Sequence, residues 1–341
     1  MKKKNSDHLI KFMLFGVPVI AVLGVIIYGE ISGTRDEFSV QESSSNPFEY
    51  DISALKKVDP TMIRYNENPV RITLPVKVPS AFTIRKDRIY AAGNNIVVKL
   101  DLTGKVLKEY KIDGVPVSID VSDAGDIALC FEKGVLVLDS KGSESLSVKQ
   151  LPEKSMLTSL AIDKHFLYAA DAGGGEVLQF NREGEPVREI GKRDRSAGVS
   201  GFIVPSPDFD IISADDDTVW VVNPGRHQIE NYTEDGILKR LWSVSSTGVE
   251  GFSGCCNPTR ILLLPNGDFV TAEKHILRVK IYNNAGLFKC VVAAPDQFHD
   301  KSRIIDIAAD SEGKIYILDS ITDGIRVFAL KQNIRGNYEK K

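Results

Sequence analysis

The sequence predicts an all-β fold, a β-propeller of six blades, preceded by one N-terminal transmembrane helix. Three observations predict it. A meander of four short apolar strands recurs six times beyond Val70. The glycines that close its turns, at 104, 142, 184, 236 and 286, fall 38, 42, 52 and 50 residues apart. Phe12 to Gly29 is an uncharged run rich in Val, Ile, Leu and Phe.

The N-terminal run comes first in the chain. Its 18 residues match the length that spans a bilayer core. Leu9 and Ile10 extend it back past Lys11, whose side chain can snorkel. Lys2, Lys3, Lys4 and Lys11 precede it, whereas Glu30, Asp36, Glu37 and Glu42 follow. That asymmetry places the N-terminus in the cytoplasm and the bulk of the chain outside, in the periplasm of a Gram-negative cell. The rival reading is a cleaved signal peptide. Tyr28-Gly-Glu-Ile-Ser-Gly33 offers no small-x-small cleavage site, which favours a retained single-pass anchor. Residues 1–30 therefore read as cytoplasmic tip and anchor. Residues 31–69 read as a linker with one short helix over Asp51–Val58, residues 70–330 as the propeller and 331–341 as a tail.

The repeat is clearest at Ile305-Asp-Ile-Ala-Ala-Asp-Ser-Glu-Gly-Lys-Ile-Tyr-Ile-Leu-Asp319, continuing to Ile325-Arg-Val-Phe328. Other copies run from Ile261 to Tyr282, Phe209 to Tyr232, Leu160 to Phe180, Val117 to Leu138 and Phe82 to Leu100. A period of roughly 40–50 residues holding four β-branched and aromatic strands is the signature of propeller blades. A single meander cannot cover both its faces, and stacking around an axis does. Val70–Val76, strand-like and without a blade of its own, is expected to close the ring as the last blade's outer strand. The Gly313-Lys-Ile-Tyr-Ile-Leu-Asp319 and Val327-Phe328 core strands resemble those of NHL-repeat proteins, over about Val70 to Leu330. That resemblance implies a six-bladed propeller of a superfamily that hosts lyases, lactonases, peptide readers and scaffolds. Bacterial NHL-like proteins also carry segments like Asn223-Pro-Gly-Arg-His227 and Gly254-Cys-Cys-Asn-Pro258.

Composition narrows the function classes. The 341 residues are 43% hydrophobic and 26% charged, with a formal net charge of −3, and no basic cluster lies beyond the first residues. Nucleic acid is therefore not the expected partner. Four cysteines exclude a disulfide-stapled small scaffold. No Gly-x-Ser-x-Gly elbow, His-Glu-x-x-His, phosphate loop or dinucleotide fingerprint occurs, and Asp171-Ala-Gly-Gly-Gly175 precedes a strand and reads as a turn.

In a four-stranded meander, the loop between strands two and three shares a face with the connection to the next blade. Asn223–His227, Glu273–His275 and the long connections Gly191–Pro205 and Ser243–Asn257 therefore gather on one face, with Asp171 and Asp319 in similar loop positions. Long loops on one face of a repeat protein are where binding usually lives. Arg226 and Lys274, with His227 and Glu273, are the expected rim for a protein partner or an anionic small ligand, unless they close salt bridges with Glu250 or Glu273. His227 could also act as an acid or base. Cys255 and Cys256 could bond to each other, hold a transition metal with His227 or His275, pair with Cys130 or Cys290, or be inert turn residues. A transition metal is the one cofactor this set suggests. His8, His165 and His299 are assigned nothing, and Asp215-Asp216-Asp217 reads as a solvated turn on the opposite face. The leading expectation is a membrane-anchored scaffold that binds through the loop face, not an enzyme. The alternative is a metal-dependent or redox protein built on Cys255, Cys256 and His275, although no histidine recurs at matching positions in three or more blades.

Overall fold

Six four-stranded antiparallel sheets are arranged around one axis. Their inner strands are Pro79–Arg85, Ser118–Val121, Leu157–Ile162, Ile211–Ala214, Arg260–Leu263 and Ile304–Ala309. Each inner strand neighbours the next, and the sixth returns to the first, so the ring is closed. The computed structural model describes residues 53–194, 196, 200–322 and 324–332. The expected anchor, most of the expected linker and the tail beyond 332 lie outside the described residues. Among the described residues no helix is long and apolar enough to cross a membrane. The short helix is Ser53–Lys56.

Blades 1 to 5 are consecutive meanders, and blade 6 combines three C-terminal strands with Tyr65–Glu67. This corrects the expected closing strand. Tyr65, Asn66 and Glu67 pair with Leu330, Ala329 and Phe328, whereas Val70–Val76 contributes only an isolated bridge from Ile72 to Ile325. Pro69 and Pro75 have no N–H to donate to a ladder, and Val70 is 71% exposed.

Because each sheet is sandwiched between two others, both of its faces are apolar. Thr218–Asn223, for example, is buried at every position. Six apolar clusters result, one at each joint between blades. The repeating turn that spaces the blades has a definite chemistry. Asp101, Asp139, Asn181 and Asn283 each accept backbone N–H groups within their own turn. The glycine three residues on stands at positive φ, 91° at Gly104 and 79° at Gly286, which a side chain would resist. At Gly286 a Cβ would also lie 2.6 Å from the Trp242 ring.

Three carboxylates tie alternate joints together at the channel. Asp120 of blade 2 accepts from Ile162 N–H of blade 3 at 3.0 Å. Asp210 accepts from Ile261 N–H of blade 5 at 2.8 Å, and Asp306 from Phe82 N–H of blade 1 at 3.1 Å. Protein crowds them on every side except the channel, and burial raises all three carboxyls above the ordinary range. Asp306 is pushed up to about 7, with Asp210 nearby adding to the rise and Arg260 opposing it. A folded-state value above the unfolded one gives stability that is present below the unfolded pKa and lost as pH rises through the folded one. Thermal scans should therefore show the wild-type melting temperature falling from about pH 5 to about pH 8, and Asp306→Asn should flatten that slope. The variant's absolute stability drops, because one carboxamide oxygen cannot serve both Phe82 and Ile307 N–H; an unchanged slope would refute the assignment.

Candidate functional site

The connections between blades and the second loops of the meanders meet at one mouth of the channel, as the strand alternation requires. They enclose a cavity of about 1630 Å³ whose wall includes Glu132, Asp208, Arg260, Lys274, His275 and His299. Its size exceeds the roughly 300–1,000 Å³ common for small-molecule pockets. Lys56, the last residue of the short helix, and Lys57 and Val58 just after it also border it.

Of the expected site residues, Glu273, Lys274 and His275 line this wall. Lys274 donates to Ser206 Oγ at 2.6 Å and to Asp208 Oδ2 at 2.7 Å. His275 is exposed, with its backbone in the left-handed region at φ 68°. The salt bridges expected from these cations to Glu250 or Glu273 are not the ones that form. Lys274 takes Asp208, and Glu250 accepts from Ser246 Oγ at 2.7 Å.

Glu273 must be withdrawn from the exposed rim. Its side chain is fully enclosed and ion-paired to Arg278 at 2.7 Å and Lys280 at 2.5 Å, both equally enclosed. Arg278 then donates to Gly248 O and Ser253 Oγ, and Lys280 to Val249 O and Gly251 O. Tyr282 Oη donates to Glu250 O at 2.8 Å. The triad is the floor on which the insertion after blade 4 is built. Burial outweighs the attraction of Glu273 and lowers Lys280 to about 8.

His227 serves the same insertion. A 3₁₀ turn at Pro224–Arg226 ends on His227 at φ 54°. Its Nε2 lies 2.5 Å from Gly254 O, and its Nδ1 lies 3.3 Å from Ser245 Oγ. A carbonyl only accepts, so Nε2 carries the proton and Nδ1 faces the hydroxyl. That histidine holds the loop and is not free to act as a base or ligand. Arg226 lies half-buried in the same turn, its Nε buried without a hydrogen-bond partner. Asp171 and Asp319 are likewise structural: the first accepts from Met156, Gly173 and Gly174 N–H, and the second receives Ser302 Oγ.

Cys255 and Cys256 are free thiols, one exposed and one buried, with their sulfurs 3.1 Å apart. Cys130 and Cys290 are buried and free, and burial raises both thiols, Cys290 to about 11. Among the described residues, no third His, Cys, Asp or Glu joins the adjacent pair within 4.8 Å in a group that could hold a metal. Such a group does form on the opposite face, from His165, Asp217 and Glu234. Lys164 already occupies Asp217 at 2.9 Å, and His165 Nδ1 lies 2.8 Å from Glu234. This agrees with a solvated, ion-paired turn.

His299 and Arg260 are wall residues that sequence reasoning passed over. The signal was available for His299, because the connection from blade 5 to blade 6 falls on the same face by the same alternation.

No protein-family model matches the chain, and no curated protein does. Solved structures do. The streptogramin B lyase structure matches with a TM-score of 0.53 and 13% identity, over 80% of this chain and 100% of that one. Virginiamycin B lyase from Staphylococcus aureus matches at 0.54 and 14%, over 78% and 100%. A structural-genomics protein of unknown function from Bacteroides thetaiotaomicron matches at 0.52 and 14%, over 80% and 74%. These likenesses show the fold. The chain is a six-bladed β-propeller.

Proposed function

We propose that the chain is a membrane-anchored, extracytoplasmic propeller of the NHL kind that binds a ligand or a protein segment in the cavity at its loop-bearing mouth. The observation that carries this reading is the cavity itself, whose volume of about 1630 Å³ is lined by apolar and charged groups together. On its border Lys56, Lys57, Arg260, Lys301 and Arg303 outnumber Glu132, Asp296 and Asp300, which favours an occupant bearing carboxylates. Lys274, tied to Ser206 and Asp208, gives the wall one fixed polar point.

A screen of short acidic peptides and small carboxylates against the full chain, read by thermal shift, tests the reading. A ligand at about a hundred times its Kd adds ~2.7 kcal/mol, a rise of several degrees for a chain of this size. Compounds that stabilise the wild type but not Lys274→Ala/His275→Ala are expected. Equal stabilisation of both proteins would place binding elsewhere, and no stabilising compound at all would sink the proposal. Membrane attachment is checked separately by resistance to alkaline carbonate extraction.

A second reading, a lyase, draws on the structural neighbours. One of them is a catalytically inactive histidine-to-alanine virginiamycin B lyase with quinupristin. Here His275 and His299 both reach the cavity wall. Turnover of quinupristin, lost in His275→Ala, would favour that reading over simple binding.

A further inference from the structure

The adjacent thiols are held in a way that an inert turn does not require. The chain on both sides of them is fixed. Gly254 O is bound by His227 Nε2, and Ser253 Oγ accepts from Arg278 Nη2 at 3.1 Å. On the far side, Asn257 Nδ2 donates to Ser253 O at 2.6 Å and to Lys274 O at 3.2 Å, and Asn257 Oδ1 accepts from Lys274 N–H at 2.9 Å. Between these anchors the two sulfurs stand 3.1 Å apart. They need to approach by only about 1 Å more to reach bonding distance. Cys255 faces solvent and Cys256 lies behind it at 3% exposure. That asymmetry suits a thiol that meets an external disulfide first and a second thiol that resolves it.

Two-sulfur chemistry fits this arrangement better than a metal. Among the described residues the pair has no third His, Cys, Asp or Glu donor within 4.8 Å. Of the residues that could have supplied one, His227 holds Gly254, Glu273 is enclosed with Arg278 and Lys280, and the exposed His275 does not group with the sulfurs within that distance.

We propose that Cys255 and Cys256 form a two-electron redox site that cycles between the dithiol and an intramolecular disulfide by exchange with low-molecular-weight disulfides. In the first step the Cys255 thiolate attacks one sulfur of the external disulfide. That S–S bond breaks, one thiolate leaves, and a mixed disulfide forms at Cys255. Cys256, its proton lost to solvent, then attacks Cys255 Sγ and expels the second thiolate. The protein loses two electrons and two protons, and the external disulfide becomes two thiols. Burial and the hydrogen bond with Cys255 raise the Cys256 thiol above its ordinary value, and the Ser206 hydroxyl and the nearby Lys274 ammonium offset this only in part. Because Ser206 and Lys274 also form the cavity wall, the oxidation state is felt there. The proposal rests on the thiol pair and holds whatever the cavity binds.

The test equilibrates the full-length chain with mixtures of oxidised and reduced glutathione, quenches with an alkylating agent, and maps the cysteine peptides by mass spectrometry. At the oxidising end, the peptide holding Cys255 and Cys256 should escape alkylation and weigh two hydrogens less. Cys130 and Cys290 should remain alkylated after denaturation, and the midpoint should be the same from either direction. Cys256→Ser should accumulate a glutathione mixed disulfide at Cys255. Cys255→Ser should react with oxidised glutathione at least about ten-fold more slowly, because its remaining thiol is buried. A circular-dichroism melt matching the wild type shows that both variants are folded. A pair that stays alkylatable at every ratio overturns the proposal. So does a wild type that stops at the mixed disulfide, or one whose thiols are protected by added Zn²⁺ but never oxidised by glutathione.

Discussion

Glu273→Ala should destabilise the propeller by about 3–5 kcal/mol, the usual cost of leaving buried charges without their counterion. Two cations would be stranded, since Arg278 and Lys280 have no side-chain exposure and both pair with this one carboxylate. Burial already lowers the pKa of Lys280 while Glu273 is present. Without it, the lysine would shed its proton or open the insertion to water. Urea denaturation should show the loss as a fall in midpoint at nearly constant slope. Limited proteolysis should begin to cut within residues 244–254, whose carbonyls the two cations hold. A second variant separates charge from packing. Replacing all three residues together, Glu273→Leu/Arg278→Met/Lys280→Met, should recover much of the stability, because apolar groups of similar volume often replace a buried ion cluster at little cost. It should not recover protease resistance, because the donors to Gly248, Val249 and Gly251 are gone. A Glu273→Ala cost below about 1 kcal/mol would mean that water reaches the triad and that the enclosure described above is wrong.

The same triad shows what the sequence concealed. Glu273-Lys-His275 reads as a polar turn at a loop tip, and the turn stands at the loop-bearing mouth. Its first residue, expected at the exposed rim, is enclosed instead. A clue stood five and seven residues on, in Leu277-Arg-Val-Lys-Ile281, where two cations alternate with apolar residues on one side of a central strand. Cations on a sheet face sandwiched between two others need an acid, and Glu273 is the one within reach. Other pairings had no local signal. Lys274 and Asp208 are 66 residues apart and meet only because blades 4 and 5 curve around one mouth.

The fold was more legible because its information is local. The Asp/Asn-x-x-Gly turn recurs in blades 1, 2, 3 and 5 and the apolar strands in all six, so period and count are readable without knowing any contact. Ring closure is the exception. Tyr65–Glu67 is three residues long, too short to show a period-two pattern, and it is followed by Asn68-Pro69. Only its partner strand, at the other end of the chain, identifies it.

That junction carries the second large effect. Arg326 is 2% exposed and donates from Nε to Glu67 Oε1 at 2.8 Å and from Nη2 to Glu67 Oε2 at 2.6 Å. Nη2 also reaches Gln297 O at 3.0 Å, and Nη1 lies 3.6 Å from the enclosed Asp319. The guanidinium stacks on Phe298 and Phe328 at 4.8 and 5.1 Å. One side chain thus joins the N-terminal strand to blade 6 and neutralises a buried acid. Arg326→Ala should cost about 3–5 kcal/mol, chiefly because Asp319 is left buried without its cation. Glu67→Ala should cost less, about 1 kcal/mol, since Glu67 is 24% exposed and Arg326 keeps Asp319 and Gln297. Arg326→Lys should fall between them, because a lysine keeps the charge but cannot span both Glu67 oxygens as a planar fork. Hydrogen exchange gives the decisive readout. In Arg326→Ala the amides bridging residues 65–68 to 327–330 should exchange before those of blades 2 and 3, showing that the ring opens at this seam. Equal exchange around the ring, or an Arg326→Ala cost no larger than that of Glu67→Ala, would show that packing of the six inner strands alone keeps the circle closed.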